Sequence, residues 1–125
     1  MGNVQTLHHV TSAGEDIRRS GEMKPGSSGM AGGGIYFADN WHAAETKAHS
    51  RGYRVTAQVD LGRVKTVDKQ GTSRYRHCTE QQLRREGYDS IHITGLATGD
   101  EYVVYDNSRV RSVSVEREPD ACAIQ

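Results

Sequence analysis

The sequence has little cysteine: two residues in 125, Cys78 and Cys122, without the paired spacing of a zinc site or a redox dithiol. A reducing compartment is the expectation. Net charge is missing too, because sixteen basic residues balance sixteen acidic ones. No global field draws the molecule onto a polyanion, and nucleic-acid binding is disfavoured. No apolar run approaches the roughly 20 residues of a bilayer crossing. Apolar residues make up only 34% of the chain, which describes a loop-rich globule with a modest core. The opening Met1-Gly2-Asn3-Val4-Gln5-Thr6 lacks the charged-then-apolar order of a secretory signal, so a cytoplasmic location is expected. Internal repeats and linkers are absent, and 125 residues suffice for one domain around one core.

Two further absences bear on chemistry. The six histidines His8, His9, His42, His49, His77 and His92 show no HExxH or Cys/His spacing, so no metal is expected. Segment 24–34 is rich in glycine yet contains neither GxGxxG nor GxxxxGK. Its side-chain volume is too small to pack a core, so it reads as an exposed loop whose bare backbone N–H groups can approach an anion.

What is present is a succession of short strands and helices. Gln5 to Val10 reads as an opening strand, and Ser12-Ala13-Gly14-Glu15 as a capping box that starts a brief helix with Ile17 inward and Gly21 as its stop. Ile35-Tyr36-Phe37 returns to the interior. Asp39 or Asn40 caps a second helix through about Ser50, with Trp41, Ala44 and Ala48 at helical spacing. Val55, Ala57 and Val59 alternate along a strand, and Val64 to Val67 forms another. Thr79 begins a third helix that buries Leu83 and ends at Gly87. Ser90 to Ile93, Tyr102 to Tyr105, and Val110 to Val115 complete the strands. The class is α+β, with a domain over residues 1–116 and an unpacked tail over 117–125.

Both ends carry lipidation patterns. Gly2 with Thr6 fits the loose N-myristoylation motif, and Cys122-Ala123-Ile124-Gln125 fits a prenylation box. Glu116, Glu118 and Asp120 dilute the basic residues before Cys122, so a prenyl group would supply only peripheral membrane association unless Gly2 added a second lipid.

Three separated segments carry a resemblance: LHHVTS at 7–12, GGGIYFAD at 32–39 and DEYVVYD at 100–106. Together they resemble the poly(ADP-ribose) polymerase superfamily, which places a histidine on its first strand, a tyrosine in a GxGIYFAD turn and commonly a glutamate on a late strand. GYDSIH at 87–92 and the Asp60-Leu61-Gly62-Arg63-Val64 turn are similar to its connecting elements. The resemblance implies a single compact ADP-ribosyltransferase fold with split antiparallel β-sheets and short flanking helices. It implies NAD as substrate, His9, Tyr36 and Glu101 as the working trio, and Val10, Thr11, Gly34, Ala44 and Lys47 beside the dinucleotide.

Physical roles follow for these side chains. Tyr36 offers a face for the nicotinamide ring. His9 supplies a ring donor for a ribose hydroxyl, Val10 its backbone for the carboxamide, and Glu101 a carboxylate for the oxocarbenium-like transition state. Two positions depart from the family. Val10 stands where a glycine is usual, and Lys47, eleven residues past Tyr36, stands where many relatives carry a second tyrosine. The tight 95–100 turn lacks the longer loop of chain-elongating members, so transfer of one ADP-ribose to a protein or other acceptor is expected rather than polymer synthesis. A stand-alone domain this short also resembles interferon- and virus-induced members described in fish, which implies antiviral innate immunity. The competing readings are a catalytically inactive binding module of the same fold and a lipid-anchored interaction module.

Overall fold

A computed structural model describes residues 3–76 and 79–119. Gly2, Cys122, His77 and Cys78 lie outside the described residues, and with them both lipidation sites.

Among the described residues, seven strands and three α-helices make an α+β domain. In chain order they are β1 (Val4–Thr11), α1 (Gly14–Ser20), β2 (Ile35–Ala38), α2 (Trp41–Lys47), β3 (Tyr53–Asp60), β4 (Val64–Asp68), α3 (Thr79–Glu86), β5 (Ser90–Thr94), β6 (Glu101–Val104) and β7 (Val110–Arg117). The strands join edge to edge as β4-β5-β6-β2-β1-β3-β7. The expectation of split antiparallel sheets is corrected in two respects. All seven strands form one hydrogen-bonded sheet, and β4 runs parallel to β5. A 3-10 turn at Gly71–Tyr75 followed by α3 supplies the crossover that a parallel pair requires. The sheet is nonetheless nearly divided. β1 pairs with β3 over eight residues, whereas β1 meets β2 at one position, His8 opposite Ala38.

Period-two alternation sends apolar side chains to both faces. On one face Leu7, Ile35, Phe37, Val55, Ala57, Val59, Tyr102 and Val104 pack with Ile17 of α1 and with Met23. The other face is covered twice. Val10 and Ala38 pack against Ala43 and Ala44 of α2, while Ile91, Ile93 and Val103 pack with Tyr75, Tyr105 and Leu83 of α3. The Val55-Ala57-Val59 row is buried as the alternation predicts, and Leu83 as the core contact of α3.

The helix ends differ from their sequence signatures. The Ser12–Glu15 capping box does not form, because Glu15 is held by Arg18 at 2.9 Å and by the Tyr53 hydroxyl at 3.0 Å. Thr11 Oγ1 instead accepts from the Ala13 N–H. Asn40 does cap α2, its Oδ1 accepting from the Ala43 N–H at 2.8 Å, an arrangement worth about 1 kcal/mol. That helix stops at Lys47 rather than Ser50, because Ala48 turns extended and Ser50 Oγ reaches back to the Ser12 N–H. Thr79 does not cap α3 through its side chain toward the helix; its hydroxyl donates to the Tyr75 carbonyl.

Two expectations about exposure also change. Segment 24–34 is exposed only in its first half, since Ala31, Gly32 and Gly34 are buried. Tyr105 donates to the Ala31 carbonyl at 2.8 Å, and Gly26 N–H bonds the Gly34 carbonyl at 2.9 Å, folding the loop onto itself. The fold also continues past residue 116. Arg117 closes β7, and Glu118 is held by Arg51 and by the Gly52 N–H at 2.9 Å. No helix among the described residues is long and apolar enough to cross a membrane.

Candidate functional site

The near-division of the sheet decides where a site can form. Past His8 and Ala38 the facing edges of β1 and β2 have no further pairing, so backbone polar groups there are available to a ligand. A cavity of about 990 Å³ opens at this seam, lined by His9 and Val10 of β1, Tyr36 of β2, Lys47 of α2 and Glu101 of β6. Thr11, Gly34 and Ala44 also border it. Every described residue expected beside the dinucleotide therefore lines one cavity.

Alternation makes this convergence unusual. Along β1, His9 shares a face with Leu7; along β2 and β6, Tyr36 and Glu101 share the opposite face with Val103. A continuous ladder would keep them apart. At the seam the His9 ring instead closes the gap, its Nδ1 bonding the Tyr36 backbone carbonyl at 2.7 Å, with the Phe37 ring edge-on at 6.0 Å.

That bond fixes the tautomer. A carbonyl only accepts, so Nδ1 carries the proton, and burial pushes the His9 pKa below its ordinary value. The ring is neutral at pH 7, which leaves Nε2 as an acceptor. The expected donor nitrogen is thus engaged within the protein, and the ring's other nitrogen is an acceptor.

Tyr36 is half-buried and doubly engaged. Its hydroxyl donates to the Gly32 carbonyl at 2.6 Å and accepts from the Ala31 N–H at 2.8 Å. Burial raises its pKa to about 12, so the phenol stays protonated. The side chain thus offers its ring to the cavity while its tip fastens the glycine-rich loop. Glycine is required in that loop. Gly32 has φ +81°, and a Cβ there would run into the Thr79 side chain.

Glu101 opens β6 across from Ala38 and Ile93. Burial raises its carboxyl pKa, and the nearby Lys47 and His49 charges oppose that rise. Lys47 donates to the Gly99 carbonyl at 2.5 Å, so the position expected to face a ring holds a cation. Val10 keeps its branched side chain in the wall under α2. It is 3% exposed and packed on Ala43 and Ala44, and it lines the cavity. Thr11 Oγ1 is occupied by the Ala13 N–H, and Ala44 serves as wall.

Sequence reading missed His8, His49 and Met30 as cavity residues. The His8 ring lies tilted against Trp41, with centroids 4.2 Å apart. His49 follows the end of α2, where helical spacing gives no guide to direction, so no periodic signal could have found it. Among the described residues no three His, Cys, Asp or Glu side chains gather as a metal site. No protein-family model matches the chain, and no curated protein matches it.

Proposed function

We propose that the protein is a mono-ADP-ribosyltransferase that moves one ADP-ribose from NAD to a protein acceptor in the cytoplasm. The observation that carries the reading is the meeting of His9, Tyr36 and Glu101 in a single cavity at the sheet's seam. The pyridinium ring of NAD lies on Tyr36, and the carboxamide takes unpaired backbone of β1 near Val10. His9 Nε2 accepts from a ribose hydroxyl, and the glycine loop, whose Gly26, Ser28, Gly29 and Gly34 line the cavity, borders the pyrophosphate.

Breaking the nicotinamide–ribose bond sends its electron pair to the ring nitrogen, and neutral nicotinamide leaves. The sugar carbon becomes positive. Glu101, ionised, accepts a hydrogen bond from the neighbouring ribose hydroxyl and stabilises that charge. The acceptor nucleophile then bonds the sugar carbon and releases its proton. An antiviral role and a prenyl anchor at Cys122 extend this reading on the resemblance and the terminal motif.

One observation favours a non-catalytic binding module instead. A nicotinamide ring in NAD is cationic, and Lys47 places a second positive charge at the cavity's Glu101 end. Incubation with labelled NAD separates the two readings. Transfer that is lost in Glu101→Ala and Tyr36→Ala supports the enzyme. Absence of transfer together with no NAD-dependent rise in Tm supports the binding module.

A further inference from the structure

Lys47 is the last residue of α2, and Gly99, whose carbonyl takes its ammonium, lies two residues before Glu101. The same turn rests on the other end of the helix. A Cβ at Gly99, where φ is +121°, would lie 3.3 Å from Asn40 Nδ2 and 3.5 Å from Ala43 Cβ. The turn that delivers Glu101 thus lies close to the start of α2, with the Asp39 carboxylate also near Gly99, and is hydrogen-bonded to the helix's last residue, Lys47.

We propose that Lys47 is a positioning residue for Glu101: its ammonium pins the 95–100 turn through the Gly99 carbonyl and supplies a positive charge in the cavity that Glu101 lines. This gives a role to a residue that departs from the family pattern, and it rests on Glu101 being the group that acts on NAD. A second tyrosine at this position could stack on the ligand but could not hold a carboxylate in its ionised form. The charged and titratable groups facing Glu101 are Lys47 and His49 from the end of α2 and Tyr36 from β2; His9 faces the same cavity from β1. Burial acts against ionisation of Glu101, and Lys47 is the larger of the two charges that act for it.

The test is a carbon-13 NMR titration of the Glu101 carboxyl in wild type, Lys47→Arg, Lys47→Gln and Lys47→Met, with NAD consumption measured against pH on the same proteins. The midpoint rises in the Met and Gln variants and stays near wild type in Arg, and the acid limb of the pH–rate profile follows it. Amide exchange of residues 97–100 quickens roughly tenfold in Met, as expected for one lost hydrogen bond, and less in Gln, which keeps a donor. If Met does not fold, Gln carries the charge test. An unmoved midpoint in the uncharged variants, or an Arg variant shifted as far as they are, overturns the proposal. A midpoint that moves as described in proteins that consume no NAD leaves Lys47 in its role and removes the transferase reading alone.

Discussion

The β7-β3-β1 half of the sheet and the β2-β6-β5-β4 half are built differently. The first has three strands of eight residues, with β1 and β3 in unbroken register. The second has strands of four or five residues and carries the glycine loop, α3 and the parallel pair. One residue pair links them. Long strands, paired along their length apart from one irregularity between β3 and β7, make the first half a platform; the short strands of the second leave backbone unpaired at their junction, and the cavity occupies that junction. The long paired strands and the candidate site thus lie in different places of one sheet, and substitutions can separate them.

The largest effect on stability belongs to the platform. Leu7→Ala removes a fully buried side chain and is expected to cost about 2–5 kcal/mol in chemical denaturation, while the protein that remains folded keeps its NAD response. Loss of that response in folded protein would show that the halves are not separable. The largest effect on chemistry belongs to the seam. Glu101→Gln is expected to cut ADP-ribose transfer by roughly 10²–10³-fold. Its effect on Tm has the opposite sign. A carboxyl whose pKa is raised by folding contributes stability at acid pH and loses it as pH rises through the folded value, so replacing it at pH 7 raises Tm.

Intermediate effects come from the loop that borders the cavity. Gly32→Ala meets both a left-handed backbone and the Thr79 side chain, and a loss of at least about 1–3 kcal/mol is expected by thermal melting. Tyr36→Phe keeps the ring but orphans the Ala31 N–H and the Gly32 carbonyl, at about 1–3 kcal/mol. Equal NAD affinity with lower Tm would place Tyr36's ring and hydroxyl in separate duties. The smallest effect is on pH dependence. Folding depresses the His9 pKa, so its neutral ring contributes fully above the unfolded value near 6.5 and that stability is lost as pH falls toward the folded value. His9→Gln flattens the decline in Tm that sets in below about pH 6.5.

Local sequence was legible where one physical rule acted alone. Val55, Ala57 and Val59 alternate because β3 has one buried face, and Asn40 caps α2 because a short amide side chain reaches Ala43. Rules failed where a distant group competed for the same atoms. Glu15 is drawn from its capping box by Tyr53, 38 positions away, and the glycine loop is pulled inward by Tyr105, 74 positions from its partner Ala31.

The sequence by itself determined the ordered residues His9, Tyr36 and Glu101, the α+β class and the alternating core, because side-chain type and period are local properties. Only the tertiary structure decided that these three groups share a cavity, which way the His9 proton points and what Lys47 holds. The reason is geometric. Alternation alone puts His9 on the opposite face from Tyr36 and Glu101, and they meet because the ladder between β1 and β2 stops after one pair, a property of strand pairing that no single segment encodes.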